Sequence, residues 1–200
     1  MFGFGKQSSG GRTPAKPSAP TPMPPIPRLT PEKLQMLDRF RQRVGDANIP
    51  GKIWNGPNTM LGLELGALGY VAGAMTGRKP SVRLANNAVQ FTNNPMGGVS
   101  AVTIGNATIS NGDPYDRARS TGRTWFNPDG SPRLENGHTQ QEHEEQHTRQ
   151  GELLGPLYLP SNIAGGLYAL SRGKTWHDGE NWNEVGPQAN PARPWAGRPR

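Results

Sequence analysis

Residues 139–156 read Thr-Gln-Gln-Glu-His-Glu-Glu-Gln-His-Thr-Arg-Gln-Gly-Glu-Leu-Leu-Gly-Pro. The Gly155-Pro156 pair is a typical helix stop, so we predict a helix from Thr139 to Leu154. His143 and His147 are four residues apart in this helix, which turns their imidazoles only about 40° from each other. The stretch therefore predicts a helix that presents two histidines side by side.

The segment His143-Glu144-Glu145-Gln146-His147 is a His-Glu-x-x-His motif, which can hold a zinc ion between its imidazoles. Glu144 lies about 100° from His143, where it flanks the ligand face and can act as a general base on water. With four His and nine Glu in 200 residues, chance would give the motif roughly 0.004 times. A solvated polar helix is the opposing interpretation, because residues 140–150 contain no apolar residue. We favour the zinc site.

A catalytic zinc needs a third protein ligand and an open position. Glu152 falls about 180° from His143, on the far side of a regular helix, and is excluded as that ligand. The metzincin pattern requires glycine and histidine where this chain has Gln150 and Leu153, so that class is excluded too. Gln150 lies in line with the two histidines, where it either hydrogen-bonds a ligand or is solvated.

The remaining source of a third ligand is the segment 176–184, Trp-His-Asp-Gly-Glu-Asn-Trp-Asn-Glu. We favour Glu184, because the aromatic Trp182 and the turn at 185–187 can hold its carboxylate in a fixed direction toward the metal. The absence of cysteine excludes thiolate ligands, so the donors must be His, Glu or Asp. In order of preference, the other donors in the segment are Glu180, His177 and Asp178.

Short β-like segments precede the histidine helix, at residues 87–91 and 99–109, with a turn at 93–98 between them. The segment Asn127-Pro128-Asp129-Gly130 fits a type I turn. Strands followed by the histidine helix predict an α+β domain, which we place at residues 57–187. A short helix or turn over 160–170 is expected to follow.

The flanking regions differ in composition from this domain. Residues 1–29 hold seven prolines and predict a disordered tail, and residues 188–200 predict an irregular Pro/Arg-rich tail. Residues 30–56 predict an amphipathic helix, with Leu34, Leu37, Phe40 and Val44 on one face, and a linker.

Residues 60–75 form the most apolar run, with glycines at 62, 66, 69 and 73. A membrane span needs roughly twenty residues, whereas this run is shorter and contains Glu64. We therefore expect a buried or surface-associated hairpin here and favour it over membrane contact.

The charge distribution argues against nucleic acid as a partner. The net charge is +7, but residues 1–52 carry nine Lys/Arg and three Asp/Glu, which leaves the histidine-bearing part nearly neutral. Phosphate-backbone binding needs clustered basic residues on a folded face. The N-terminus has no apolar signal segment, so we expect a cytoplasmic protein or one secreted by a specialised non-Sec system.

A group of small, largely uncharacterised bacterial zincin-like proteins is similar to this chain in three places. The first is His143-Glu144-x-x-His147-Thr148-x-Gln150-Gly151-x-Leu153-Leu154-Gly155-Pro156-Leu157-Tyr158-Leu159-Pro160. The second is Thr103-Ile104-Gly105-Asn106, and the third is Glu184-Val185-Gly186-Pro187. The resemblance covers about residues 57–195. It implies a small zincin-like domain with a gluzincin-type zinc site held by His143, His147 and Glu184.

We therefore expect a zinc-dependent metallopeptidase that acts on a peptide or protein substrate. Glu144 is the expected general base, Tyr158 or His177 the expected oxyanion donor, and a strand in 99–110 the expected edge for pairing with peptide. The alternative is a non-enzymatic, metal-stabilised interaction domain or a secreted bacterial effector that acts by binding. A second alternative is a Pro-rich adaptor whose first 52 residues carry the function.

Overall fold

The computed structural model describes residues 48–121 and 125–195. These residues fold into helices, a four-stranded sheet and a small two-stranded hairpin, which confirms the predicted α+β class with a sheet ahead of the histidine helix. The predicted tail at 1–29, the amphipathic helix that follows it and residues 196–200 lie outside the described residues. The described part of the chain begins with helix α1, Ile49–Trp54, which Asn48 caps by accepting a hydrogen bond from the Gly51 amide at 3.1 Å.

The sheet consists of two hairpins that meet side by side. Its strands are β1 Ser81–Ala85, β2 Ala88–Thr92, β3 Ala101–Ile104 and β4 Ala107–Ser110, in the order β1-β2-β4-β3. Strands β2 and β4 are parallel, and the other pairs are antiparallel. Asn86 and Asn87 both have positive φ in the first turn, as a tight two-residue hairpin requires. The predicted segment 99–109 is divided into two strands, because Gly105, with φ +63, and Asn106 turn the chain there.

Helix α2, Gly56–Met75, is one continuous helix of 20 residues, so the expected hairpin over 60–75 is wrong. Its four central glycines recur at spacings of four, three and four, which places them on one buried face. A Cβ at Gly62 would lie 2.3 Å from the Ile104 carbonyl oxygen, and one at Gly66 would lie 2.4 Å from the Phe91 ring. The glycines therefore allow close packing of α2 on the sheet rather than a turn.

The apolar core lies between α2 and the sheet and is small. Phe91, Ala107 and Ile109 form its buried centre, and Leu63 and Leu65 of α2 pack against it. The other face of the sheet carries polar side chains toward the histidine helix. Thr103 and Thr108 are buried there, with their hydroxyl oxygens 3.1 Å apart.

The histidine helix α3, Gln140–Leu154, follows the small hairpin of β5 Leu134–Glu135 and β6 His138–Thr139. Thr139 caps it, because its hydroxyl accepts from the Glu142 amide while the Glu142 carboxylate accepts from the Thr139 amide. Gly155, with φ +55, ends the helix where a 3₁₀ turn, Gly155–Leu157, begins. The predicted bounds of this helix are confirmed. The turn predicted at 127–130 is also present, with the Gly130 amide donating to the Asn127 carbonyl at 3.0 Å.

Helix α4, Tyr158–Ser171, continues from the 3₁₀ turn and is longer than the short element expected over 160–170. Residues 172–195 then run without regular structure back across the histidine helix. Among the described helices, none combines the length and the apolar character needed to cross a membrane.

Candidate metal centre

The two histidines of α3 lie on its inner face, and both are buried. Their Nε2 atoms are 3.1 Å apart, and the rings meet edge to face with centroids 4.8 Å apart. Because His143 and His147 are separated by about one turn, a regular helix is enough to bring these two nitrogens together. The predicted side-by-side pair is therefore present.

Glu184 completes the cluster from the irregular C-terminal segment. Its carboxylate oxygens lie 3.3 Å from His143 Nε2 and 3.6 Å from His147 Nε2. One donor atom from each of the three residues lies within 4.8 Å of the other two. A turn in which the Glu184 amide donates to the Asn181 carbonyl at 2.9 Å holds the carboxylate in this position. Of the carboxylates weighed as a third ligand, Glu184 is the one that the fold brings to the histidines.

The Glu184 carboxylate has an acceptor that no protein group satisfies. The side chain is 2% exposed, and its Oε2 has no hydrogen-bond donor although His143 Nε2 is 3.3 Å away. Burial would raise the pKa of Glu184, but the adjacent imidazoles of His143, His147 and His177 outweigh burial and hold the pKa well below its usual range. A buried, ionised oxygen without a donor is costly, and a cation between the three residues would relieve that cost.

Gln150 fixes the orientation of His147. Its amide nitrogen donates to the carbonyl oxygens of Asn183 and Pro194, both at 2.7 Å, so its Oε1 must face His147 Nδ1 at 2.9 Å. His147 Nδ1 therefore carries a proton, and Nε2 is the nitrogen that points into the cluster. Of the two interpretations of Gln150, the solvated one is wrong, since the side chain is fully buried and hydrogen-bonds His147.

The charge around His147 favours its protonated form. Burial lowers the pKa of His147, but the hydrogen bond and negative charge of Glu184, together with the charge of Glu144, raise it to about 9. The cluster thus attracts positive charge. A cation bound there would take the place of the proton on this imidazole.

Glu144 lies between α3 and the sheet. Its Oε2 accepts from the Thr103 hydroxyl at 2.7 Å, and its Oε1 accepts from the Gln140 amide at 2.7 Å. The carboxylate is buried, and its negative charge raises the pKa of His147 and of His177. Glu144 therefore lies next to the cluster without belonging to the three convergent donors.

The two expected oxyanion donors differ in exposure. Tyr158 is buried, and its ring centroid lies 6.3 Å from that of His147; burial, followed by the charges of Glu184 and Glu144, raises its pKa well above the usual value. The side chain of His177 is 71% exposed, and its Nδ1 lies 3.4 Å from Glu184 Oε1. The hydrogen bond to Glu184 raises the pKa of His177.

The remaining carboxylates are not among the convergent donors. Asp178 accepts from the Glu180 amide at 3.3 Å and so stabilises the local turn, and Glu180 is only half-buried. Glu152 lies on the opposite side of α3, as its position in the helix predicted. There it accepts from Asn48, Lys52, Asn87 and Asn106.

His138 is a neighbour of the site that the sequence pattern did not indicate. It sits on β6, is buried, and its ring stacks on that of His143 with centroids 6.3 Å apart. Its Nδ1 has no hydrogen-bond partner, and burial lowers its pKa. Only its position five residues before His143 could have suggested it, and that spacing does not share a helical face.

Two imidazole nitrogens and one carboxylate are a donor set that proteins use for catalytic zinc. The orphaned Glu184 oxygen and the Gln150 contact that directs His147 Nε2 inward both fit such an ion. Comparisons with family models, curated proteins and solved structures found no match to this chain. The site therefore has to be interpreted from its own geometry.

Proposed function

We propose that the protein is a zinc-dependent hydrolase of zincin-like type, most specifically a metallopeptidase that cleaves a peptide or protein substrate. The observation that carries this proposal is the convergence of His143, His147 and Glu184, with an unsatisfied Glu184 oxygen, beside the carboxylate of Glu144. The resemblance to small bacterial zincin-like proteins supports the same assignment.

The three convergent residues would hold the metal, and a bound zinc ion supplies Lewis acidity toward a scissile carbonyl. Glu144 acts as the general base, which takes a proton from the attacking water and passes it to the leaving amine. The Thr103 hydroxyl and the Gln140 amide hold this carboxylate in one orientation. Each oxygen accepts one of these bonds and keeps a second lone pair for the proton.

Two further groups have suitable chemistry for the developing oxyanion. His177 can donate a hydrogen bond from its imidazole N–H. The raised pKa of Tyr158 keeps its hydroxyl protonated. His177 is the more accessible of the two.

Strand β3 is the proposed place for the substrate backbone. It is an edge strand, so its outer hydrogen-bonding groups are not paired within the sheet. Thr103 of β3 contacts Glu144. A peptide paired along β3 would therefore lie next to the proposed base.

A second candidate is a non-enzymatic interaction domain, such as a secreted effector that acts by binding, in which zinc only stabilises the fold. The observation that favours it is that the proposed metal site is enclosed by the protein. All three donors are buried, and both Glu144 oxygens already accept hydrogen bonds. Structural zinc sites are closed, whereas catalytic sites keep one open position.

The Glu144→Gln variant separates the two candidates, with zinc content and cleavage of fluorescein-labelled casein as the two measurements. A metallopeptidase should keep its zinc and lose about a thousandfold in cleavage rate, because the amide cannot accept the proton. Glu145→Gln is the matched control, since Glu145 pairs with Arg149 away from the cluster, and it should retain both properties.

Other results would contradict the peptidase. Cleavage of casein at an unchanged rate by Glu144→Gln would show that Glu144 is not the base. A zinc-loaded protein that cleaves no casein and no protein digest would favour the interaction domain.

A further inference from the structure

Helices α2 and α4 present apolar side chains to solvent, where surface helices normally present polar ones. Helix α4 contains no Asp, Glu, Lys or Arg, and α2 contains only Glu64. Their exposed large side chains are between 38% and 83% exposed. They include Met60, Leu68, Val71 and Met75 on α2, and Leu167 and Tyr168 on α4.

The exposed side of α2 lies opposite its packed side. Leu68 and Val71 are three residues apart and share a face, whereas Gly62 and Gly66 form the face that packs on the sheet. The exposed apolar residues are therefore not needed to close the core. They form an outer face that no described part of the chain covers.

The two outer faces are joined where the helices begin. The Asn58 amide of α2 donates to the Gly155 carbonyl at 2.7 Å, immediately before α4. Trp54 packs against Gly155, and Trp54 and Leu157 are both more than half exposed. Both helices thus start from one junction, whose exposed side chains are also apolar.

Each of the two helices is followed by basic residues. Arg78 and Lys79 follow α2, and Arg172 and Lys174 follow α4. Within 48–121 and 125–195, none of these four side chains forms an ion pair. Apolar helical faces that end in unpaired cations are typical of helices that lie in the interface of an anionic bilayer.

Aromatic residues occur at the edge of this surface. Tyr168 of α4 and Trp182 lie with ring centroids 6.2 Å apart, and both are partly exposed. The Trp182 indole donates to the Ser161 hydroxyl at 3.1 Å, which holds the ring beside α4. Tyrosine and tryptophan favour the headgroup level of a membrane, because each has an apolar body and a polar tip.

We propose that the outer faces of α2 and α4 form a docking surface that seats the protein on an anionic lipid bilayer, with the helices lying in the interface. A second copy of the chain fits this surface less well. A symmetric dimer places the same surface of both copies in contact, which would bring the unpaired cations that follow α2 and α4 in one copy close to those of the other. Anionic headgroups complement those cations instead.

The test is co-flotation of the full chain with phosphatidylcholine vesicles, with and without phosphatidylserine, at low and at physiological salt. Binding should require phosphatidylserine and weaken with salt. Leu68→Glu and Leu167→Glu should each weaken binding about tenfold or more, because each places a charge in the buried face. Arg172→Ala should weaken it about fivefold. Glu64→Leu should strengthen it.

Val99→Glu is the matched control, since Val99 is 87% exposed but lies in the loop before β3 and belongs to neither helix. It adds the same charge and should leave binding within about twofold of the parent chain, as expected for one screened charge. Thermal unfolding of each variant checks that the fold is kept. These substitutions are on exposed side chains and should leave it unchanged.

Three results would overturn the proposal. The first is that the full chain does not float with the anionic vesicles at low salt. The second is that Val99→Glu weakens binding as much as Leu167→Glu. The third is that the chain binds no vesicles but forms a concentration-dependent dimer, which Leu167→Glu dissociates. That result would assign the surface to a second copy.

Discussion

Gln150 connects the ligand helix to the segment that supplies the third donor. One side chain orients His147 and also binds the carbonyls of Asn183, adjacent to Glu184, and of Pro194. Groups that hydrogen-bond a metal-ligating histidine fix its tautomer and direction, and their loss typically weakens metal binding by about 10- to 100-fold. Gln150 is therefore a positioning residue of the proposed zinc site.

Gln150→Leu should weaken zinc binding about 10- to 100-fold, because it removes the acceptor for His147 Nδ1 and leaves two carbonyls unpaired. The measurement is zinc competition against a chromophoric chelator. Gln150→Glu keeps an acceptor beside His147 and should lose less affinity than Gln150→Leu.

Gln146→Leu is the control for this pair. Gln146 lies one turn earlier on the same helix and donates only to the Glu142 carbonyl, so its removal should leave zinc affinity nearly unchanged. A Gln150→Leu protein that matches the control in zinc affinity would remove Gln150 from the site.

At the scale of elements, helix α3 joins the proposed metal centre on one side to a structural polar network on the other. Glu152 accepts bonds from Lys52 at 2.5 Å, Asn106 at 2.8 Å and Asn87 at 2.9 Å. These donors come from α1 and from the turns that precede β2 and β4. The carboxylate therefore links α3 to both α1 and the sheet.

Glu152→Gln should lower the free energy of unfolding by about 2–4 kcal/mol, because buried donors lose a charged acceptor and Lys52 loses its partner. Zinc affinity should not change, because Glu152 faces away from His143. Urea unfolding and chelator competition measure the two effects separately.

Glu184→Gln is the opposite case and should lower zinc affinity strongly, since it neutralises one of the three donors. Equal losses of zinc affinity in the Glu152 and Glu184 variants would contradict the separation of the two sides of α3. A stable Glu152→Gln protein would show that the network is not needed.

The sequence and the structure agree best where local spacing decides the result. His143, His147 and the bounds of α3 follow from helical geometry and a glycine stop, so they could be predicted. The exclusion of Glu152 rested on the same angles. Glu184 could be favoured over its neighbours but could not be placed by spacing, because its approach depends on an irregular segment with no periodic pattern.

Longer-range packing accounts for what was missed. The short apolar run 60–75 and Glu64 suggested a hairpin, whereas the glycines of α2 serve the packing of one long helix on the sheet. The polar stretch 140–150 left a solvated helix open as the opposing interpretation. It is instead enclosed by β3 and by residues 181–194, which hydrogen-bond to it. Neither partner can be recognised from the helix sequence alone.

The whole molecule has an interior that is largely polar. Within the described residues, 24 polar or charged side chains are buried, compared with seven apolar ones. Most of these polar groups are paired, many of them as asparagine and glutamine amides. The fold therefore relies on satisfied hydrogen bonds to an unusual extent for a domain of this size.

This polar interior has a thermal consequence. Exposure of apolar surface raises the heat capacity on unfolding, whereas exposure of polar surface lowers it. The heat capacity change of this protein should therefore fall below the usual value of about 12–15 cal/mol/K per residue. Differential scanning calorimetry should show that the free energy of unfolding changes little with temperature. The folded state should therefore lose little stability on cooling and lose it gradually on heating.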